Sequence, residues 1–210
     1  MRNGIVLIIV LLFMCVAGHA NEWKHRWGVG GATTIYKMWG GIKDRSSLSY
    51  LMKIEGRYGI TDNLQIGADF GYGSFKPSRL GTSTIAEMGD PYRTFVVPLN
   101  LSIKATPLPG NAVKPYALFG AELLFWDLRD VSEEDGNVFT GGGFKWGNSI
   151  RNETNFGLAY GIGFEWFLKE WFAIDLQARN THYLGRMQDN VGYNDANDKL
   201  GEFEVSALYY

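Results

Sequence analysis

The sequence predicts an all-β fold, an eight-stranded antiparallel transmembrane β-barrel, and three observations lead there. Over most of the 210 residues, apolar and polar side chains alternate with a period of two. One face of each alternating run carries nearly all the bulk, while the other is small or charged. The connections between runs are short and long by turns, which is how a membrane barrel sorts its two ends.

Composition fits the same reading. Glycine (27 residues) lets a strongly tilted sheet curve, and the 13 Phe, 11 Tyr and 7 Trp suit the two membrane interfaces. The formal net charge of -2 offers no basic field, so nucleic acid is not an expected partner.

The first element is a leader. Arg2 supplies a positive start, and residues 5–16 form an apolar stretch too short to span a bilayer. Gly18 and Ala20 place small residues at the -3 and -1 positions of a cut before Asn21. Residues 1–20 therefore read as a signal peptide and residues 21–210 as one barrel domain. A lipoprotein cut before Cys15 is disfavoured by bulky Phe13 and Met14 just ahead of it. Cys15 is the one cysteine, so the remainder has no disulfide and no thiol chemistry, as suits an oxidising periplasm. No other run of 18 or more apolar residues exists, which excludes a helical membrane protein.

Eight runs follow. In 26–36, Trp27, Val29 and Ile35 oppose Gly28, Gly30 and Ala32. In 50–60, Tyr50, Met52, Ile54 and Tyr58 oppose Lys53, Glu55 and Arg57. In 64–75, Leu64, Ile66, Ala68, Phe70 and Tyr72 oppose Gln65, Gly67, Asp69, Gly71 and Gly73. In 92–105, Val97, Leu99, Leu101 and Ile103 oppose Asn100, Ser102 and Lys104. In 115–127, Ala117, Phe119, Ala121, Leu123 and Phe125 oppose Gly120 and Glu122. The clearest run, 154–168, sets Phe156, Leu158, Tyr160, Ile162, Phe164, Trp166 and Leu168 against Asn155, Gly157, Ala159, Gly161, Gly163 and Glu165. In 171–183, Phe172, Ile174, Leu176 and Ala178 oppose Asp175, Gln177 and Arg179. In the last run, Phe203, Val205, Ala207 and Tyr209 oppose Glu202, Glu204 and Ser206. A soluble sandwich would turn the greasy faces inward against a covering layer, and nothing here supplies one. Each run matches the roughly 9–11 residues of a tilted membrane strand. Closure follows, because an open sheet edge in lipid leaves backbone groups unpaired.

The connections 61–63, 106–114 and 169–170 are turn-like; 37–49, 78–91, 128–153 and 184–198 are long and polar. Membrane barrels of diderm bacteria keep short turns on the periplasmic side and long loops outside. The expected location is therefore the cell outer membrane, with outer-membrane lipid as the surrounding partner.

Several segments resemble the outer-membrane β-barrel domain shared by small porin-like proteins and the OmpA/OmpX group. Residues 97–104 (VPLNLSIK) resemble that family's fourth strand and 114–121 (KPYALFGA) its fifth. Residues 156–179 resemble its sixth and seventh strands across a tight turn. The resemblance implies fold more than activity. It also implies that the barrel-assembly machinery reads an aromatic in the final strand. Phe203, Tyr209 and Tyr210 are the candidates. Either Tyr209 is the signal aromatic, or Tyr210 is and the register shifts near the end. The peptidoglycan-binding domain of longer OmpA-like proteins is not expected.

The inward set holds Lys53, Glu55, Arg57, Asp69, Lys104, Glu122, Glu165, Asp175, Arg179, Glu202 and Glu204. Side chains fill an eight-stranded barrel, so these charges are expected to pair as a network that plugs the lumen. The alternative is a narrow passive pore lined by the acidic excess, its conductance altered by Glu165→Gln or Arg179→Ala.

Lipid A deacylase barrels carry a His-x-Ser pair on a late strand, and 179–185 is similar in layout around His182. Leu184 stands at the serine position, so no hydroxyl is there to be activated and no catalytic residue is expected. The last loop holds Asp189, Asn190, Asn194, Asp195, Asn197 and Asp198 without calcium-loop spacing, and reads as a solvated acidic loop. Gly141, Gly142 and Gly143 lack the helix and Lys-Ser/Thr of a phosphate loop. No metal or cofactor is expected. The function expected is structural or surface-interacting, with Phe139, Phe144 and Trp146 of the third loop as contact candidates and their own packing across the barrel mouth as the alternative.

Overall fold

The computed structural model describes residues 23–39, 48–75, 92–130, 148–184 and 199–210. Residues 1–20, and the candidate residues of the third and fourth long loops at 139–146 and 189–198, lie outside them. The described residues form a closed barrel of eight antiparallel strands in sequence order. The strands are β1 (Trp27–Trp39), β2 (Ser49–Gly59), β3 (Leu64–Phe75), β4 (Tyr92–Ala105), β5 (Val113–Asp130), β6 (Asn148–Lys169), β7 (Phe172–Tyr183) and β8 (Lys199–Tyr209). β1 closes on β8 from Val29↔Tyr209 to Trp39↔Lys199.

The alternation in sequence becomes an inside and an outside. On β2, Met52 and Ile54 are 75% and 67% exposed while Lys53 between them is 3% exposed. A soluble protein would invert that order; here the apolar face meets lipid and the polar face meets the lumen. Within β6, Gly163 makes this geometrically possible, because a Cβ there would sit 2.5 Å from the Tyr116 hydroxyl. Gly28 and Gly157 likewise leave room for the rings of Tyr210 and Tyr183.

The ladder has a stagger. A paired row that starts at Val29 passes through Gly56, Ala68, Leu101, Ala121, Leu158, His182 and Lys199. It returns to β1 at Trp39, ten residues further on. Closure with such a shear requires strands tilted by roughly 35–45°. Between β3 and β4 the pairing passes from Phe70↔Leu99 to Gly73↔Val96, skipping the positions beside Pro98, which has no N–H to donate.

β5 and β6 run longer than the alternation indicates. At 18 and 22 residues they take in both ends of the region read as the third loop. Beyond Phe125 the outward positions are Asp127 and Arg129, an ion pair at 2.6 Å. The outward face is polar there, as it must be once the strand leaves the hydrocarbon, while Trp126 beside Asp127 stays buried in the lumen.

Before β1, Trp23 turns back into the barrel. Arg26 N–H donates to the Trp23 carbonyl at 3.0 Å, closing a tight turn with His25 at φ 59°. Lys24 bridges Gly59, where a Cβ would collide with the Trp23 carbonyl at 1.6 Å. Glycine at that position is what allows the close approach.

Candidate functional site in the barrel lumen

The structure turns all eleven charged residues of the inward set to the lumen and gathers them into two groups. Near the short turns, β2 supplies Glu55 and Arg57, β4 Lys104, β6 Glu165 and β7 Asp175. The Arg57 guanidinium meets Glu165 at 2.9 Å and Glu55 at 2.6 Å, and also pairs with Asp175. Lys104 pairs with Asp175 at 2.9 Å, and the Tyr116 hydroxyl donates to the same carboxylate at 2.6 Å. One Glu165 oxygen accepts from Trp23 Nε1 at 2.9 Å and from the Tyr210 hydroxyl at 3.0 Å.

Nearer the long loops, Lys53 meets Glu204 at 2.9 Å and Glu202 at 3.2 Å. Arg179 meets Glu122 at 3.1 Å and Asp69 at 3.2 Å, and also pairs with Glu202. Two cations here face four carboxylates, and neutral donors share the excess. Tyr183 and Thr181 donate to Glu122, Thr34 donates to Glu204 at 3.0 Å, and Asn100 donates to Asp69 at 2.8 Å. Bonds to ionised acceptors are roughly twice as strong as neutral ones, so hydroxyls are effective here.

Apolar clusters lie on either side of the charges. Tyr36, Met38, Leu51, Val96, Leu124, Trp126 and Leu200 pack with Tyr183 toward the loops. Trp23, Leu118, Phe167, Ala173 and Leu208 pack with Tyr116 and Tyr210 toward the turns. The periodicity of the sequence did not place Trp23, Tyr116 or Lys114 among the inward residues. Trp23 precedes the first run; Tyr116 and Lys114 lie at the start of β5. Lys114 is fully buried, with its ammonium 5.1 Å from the Trp23 ring centre and 4.9 Å from that of Phe167. An inward aromatic two residues from an inward lysine was the available signal for the last two.

At the C-terminus the alternation carries through. Phe203 and Tyr209 point outward, and Tyr209 lies 5.5 Å from the Trp171 ring. Tyr210 stays in the inward phase, where Gln65 donates to its hydroxyl at 3.0 Å. His182 is half-buried on the outward face beside Leu158, followed by exposed Leu184. Among the described residues, no group of three or more His, Cys, Asp or Glu is arranged to hold a metal ion.

Residues 6–210 match the model of the outer membrane protein β-barrel domain. No curated protein matches the sequence. Among solved structures, Neisserial surface protein A is similar at TM-score 0.53 and 17% identity, over 87% of this chain and 96% of that one. A major outer membrane protein from Thermus thermophilus gives 0.53 and 14%, over 88% and 99%. The outer membrane protein OprG from Pseudomonas aeruginosa gives 0.52 and 16%, over 92% and 98%. At these identities the likeness is one of fold.

Proposed function

Because the chain belongs to the outer membrane protein β-barrel domain family, we propose that it is a structural and surface-interaction protein whose plugged barrel presents four long loops outside the cell. Residues 1–20 serve as its export leader, cut before Asn21. No catalytic activity is assigned, since His182 has Leu184 where a hydroxyl partner would stand. The observation that supports this reading best is the filled lumen, with two paired charge groups held between apolar clusters. Among the described residues, an eight-stranded barrel filled in this way leaves little room for water and ions to pass.

The test is conductance. Full-length export product inserted into planar bilayers, with insertion verified, is expected to be silent. Removing the four loops is expected to abolish binding to any envelope or host partner while the barrel keeps its heat-modifiable mobility. Reproducible conductance that changes in Glu165→Gln would favour the narrow-pore reading instead.

The two terminal tyrosines are expected to separate in their effects. Tyr209→Ala, on the outward face, lowers the yield of assembled barrel in cells but leaves the stability of detergent-refolded protein unchanged. Tyr210→Phe removes a hydroxyl from Glu165 and lowers that stability by about 1–3 kcal/mol. Comparing membrane yield with denaturant midpoints checks both, and equal behaviour of the two variants would remove Tyr209 as the assembly aromatic.

A further inference from the structure

The lipid-facing side of β7, β8 and β1 departs from the apolar belt. His182 on β7 pairs with Lys199 on β8, and Lys199 with Trp39 on β1. One step toward the turns, Asn180 pairs with Gly201 and Gly201 with Lys37. The intervening residues Thr181, Tyr183, Leu200, Glu202, Tyr36 and Met38 are buried in the lumen, so these polar residues face out. Cross-strand neighbours on one face stand about 4.5–5.5 Å apart at Cβ and diagonal ones about 7–8 Å. Three basic residues on three adjacent strands, His182, Lys199 and Lys37, therefore stand around Gly201, which has no side chain and leaves a notch between Lys37 and Asn180.

The stagger sets their height. A paired row climbs toward the loops as it circles the barrel, so His182, Lys199 and Lys37 end within about two residues' rise of one another. On β4, β5 and β6 the same height is taken by Val97, Phe125 and Phe156. This is the loop-side edge of the apolar belt, where headgroups begin. Directly below the notch the outward residues are again apolar: Ile35, Ala178 and Phe203. An interfacial lysine is tolerated anywhere around a barrel by snorkelling. Tolerance does not account for basic residues gathered on one flank.

We propose that this flank is a binding site for the phosphate group of an outer-leaflet glycolipid. Lysine ammonium groups bind phosphate as point charges, and the imidazole and amide of His182 and Asn180 add N–H donors. The side-chain carbonyl of Asn180, buried beside this flank, has no hydrogen-bond partner among the described residues. The apolar surface beneath takes the acyl chains. The proposal rests on the long loops facing outward.

Folded full-length export product in detergent would be titrated with bisphosphorylated lipid A, its dephosphorylated form and inorganic phosphate, and adducts read by native mass spectrometry. Bisphosphorylated lipid A is expected to bind at least about 10-fold more tightly than the dephosphorylated form. Lys37→Gln and Lys199→Gln are each expected to weaken it about five-fold, from the attraction of one lysine near an anionic surface. Lys169→Gln, at the opposite end beside Trp171, is expected to leave it unchanged. Equal binding of the two lipids, or no loss in the Lys37→Gln/Lys199→Gln double variant, would overturn the proposal. Competition by inorganic phosphate would replace the lipid by a free anion and overturn its stated source. Each variant's heat-modifiable mobility is recorded alongside, so loss of the barrel is seen separately from loss of the lipid.

Discussion

Arg57→Met is expected to destabilise the folded barrel by about 3–5 kcal/mol, the usual consequence of removing one partner from a buried ionic group. Arg57 is 2% exposed and touches Glu55, Glu165 and Asp175 at once. Without it, those three carboxylates lose the guanidinium they share and retain Lys104 and the neutral donors Tyr116, Trp23 and Tyr210. Denaturant unfolding in detergent, followed by the mobility difference between heated and unheated samples, measures the loss. The double variant Arg57→Met/Glu165→Gln is expected to recover part of it, because one carboxylate then needs no counter-charge while its hydrogen bonds can still be made. A double variant weaker than the sum of the two single ones would show that packing around the Arg57 stem, rather than charge pairing, sets its importance.

Trp23→Ala is the second large effect, again about 3–5 kcal/mol, from the buried indole it removes. Trp23 is fully buried, donates to Glu165 and lies beneath the Lys114 ammonium. Its loss leaves space at the turn end of the lumen and removes one of the two donors to a Glu165 oxygen. Lower stability is therefore expected together with brief openings in planar bilayers, which are not expected of the unaltered barrel. A stable and silent Trp23→Ala barrel would mean that the remaining apolar residues, Phe167 and Leu208 foremost, close that end by themselves.

The faces of this barrel were legible because lipid imposes a simple rule. Phe156 through Leu168 are apolar at every second position, and the structure turns that face outward. The same rule loses its grip where the strands leave the bilayer. Arg129 and Asn152 belong to strands, yet with polar outward residues beside them they read as loop. Trp23 escaped for a different reason: a segment that folds back into the lumen has no alternation of its own. Nor could periodicity say that Glu165 meets Arg57, Trp23 and Tyr210. Those contacts depend on the ten-residue stagger, a property of the closed sheet rather than of any strand.

Glu165 also bears on the order of folding. It is bonded to Trp23, Arg57 and Tyr210, which lie 142, 108 and 45 positions away in the chain. Such separations give the barrel a high contact order, and none of these bonds rewards a hairpin formed alone. A half-assembled sheet holds the Glu165 carboxylate without both Trp23 and Tyr210 in place to satisfy it. Joining of β1 to β8 is thus the step at which most of the interior bonding arrives together, so the last seam to form is also the one that makes the earlier ones hard to reverse.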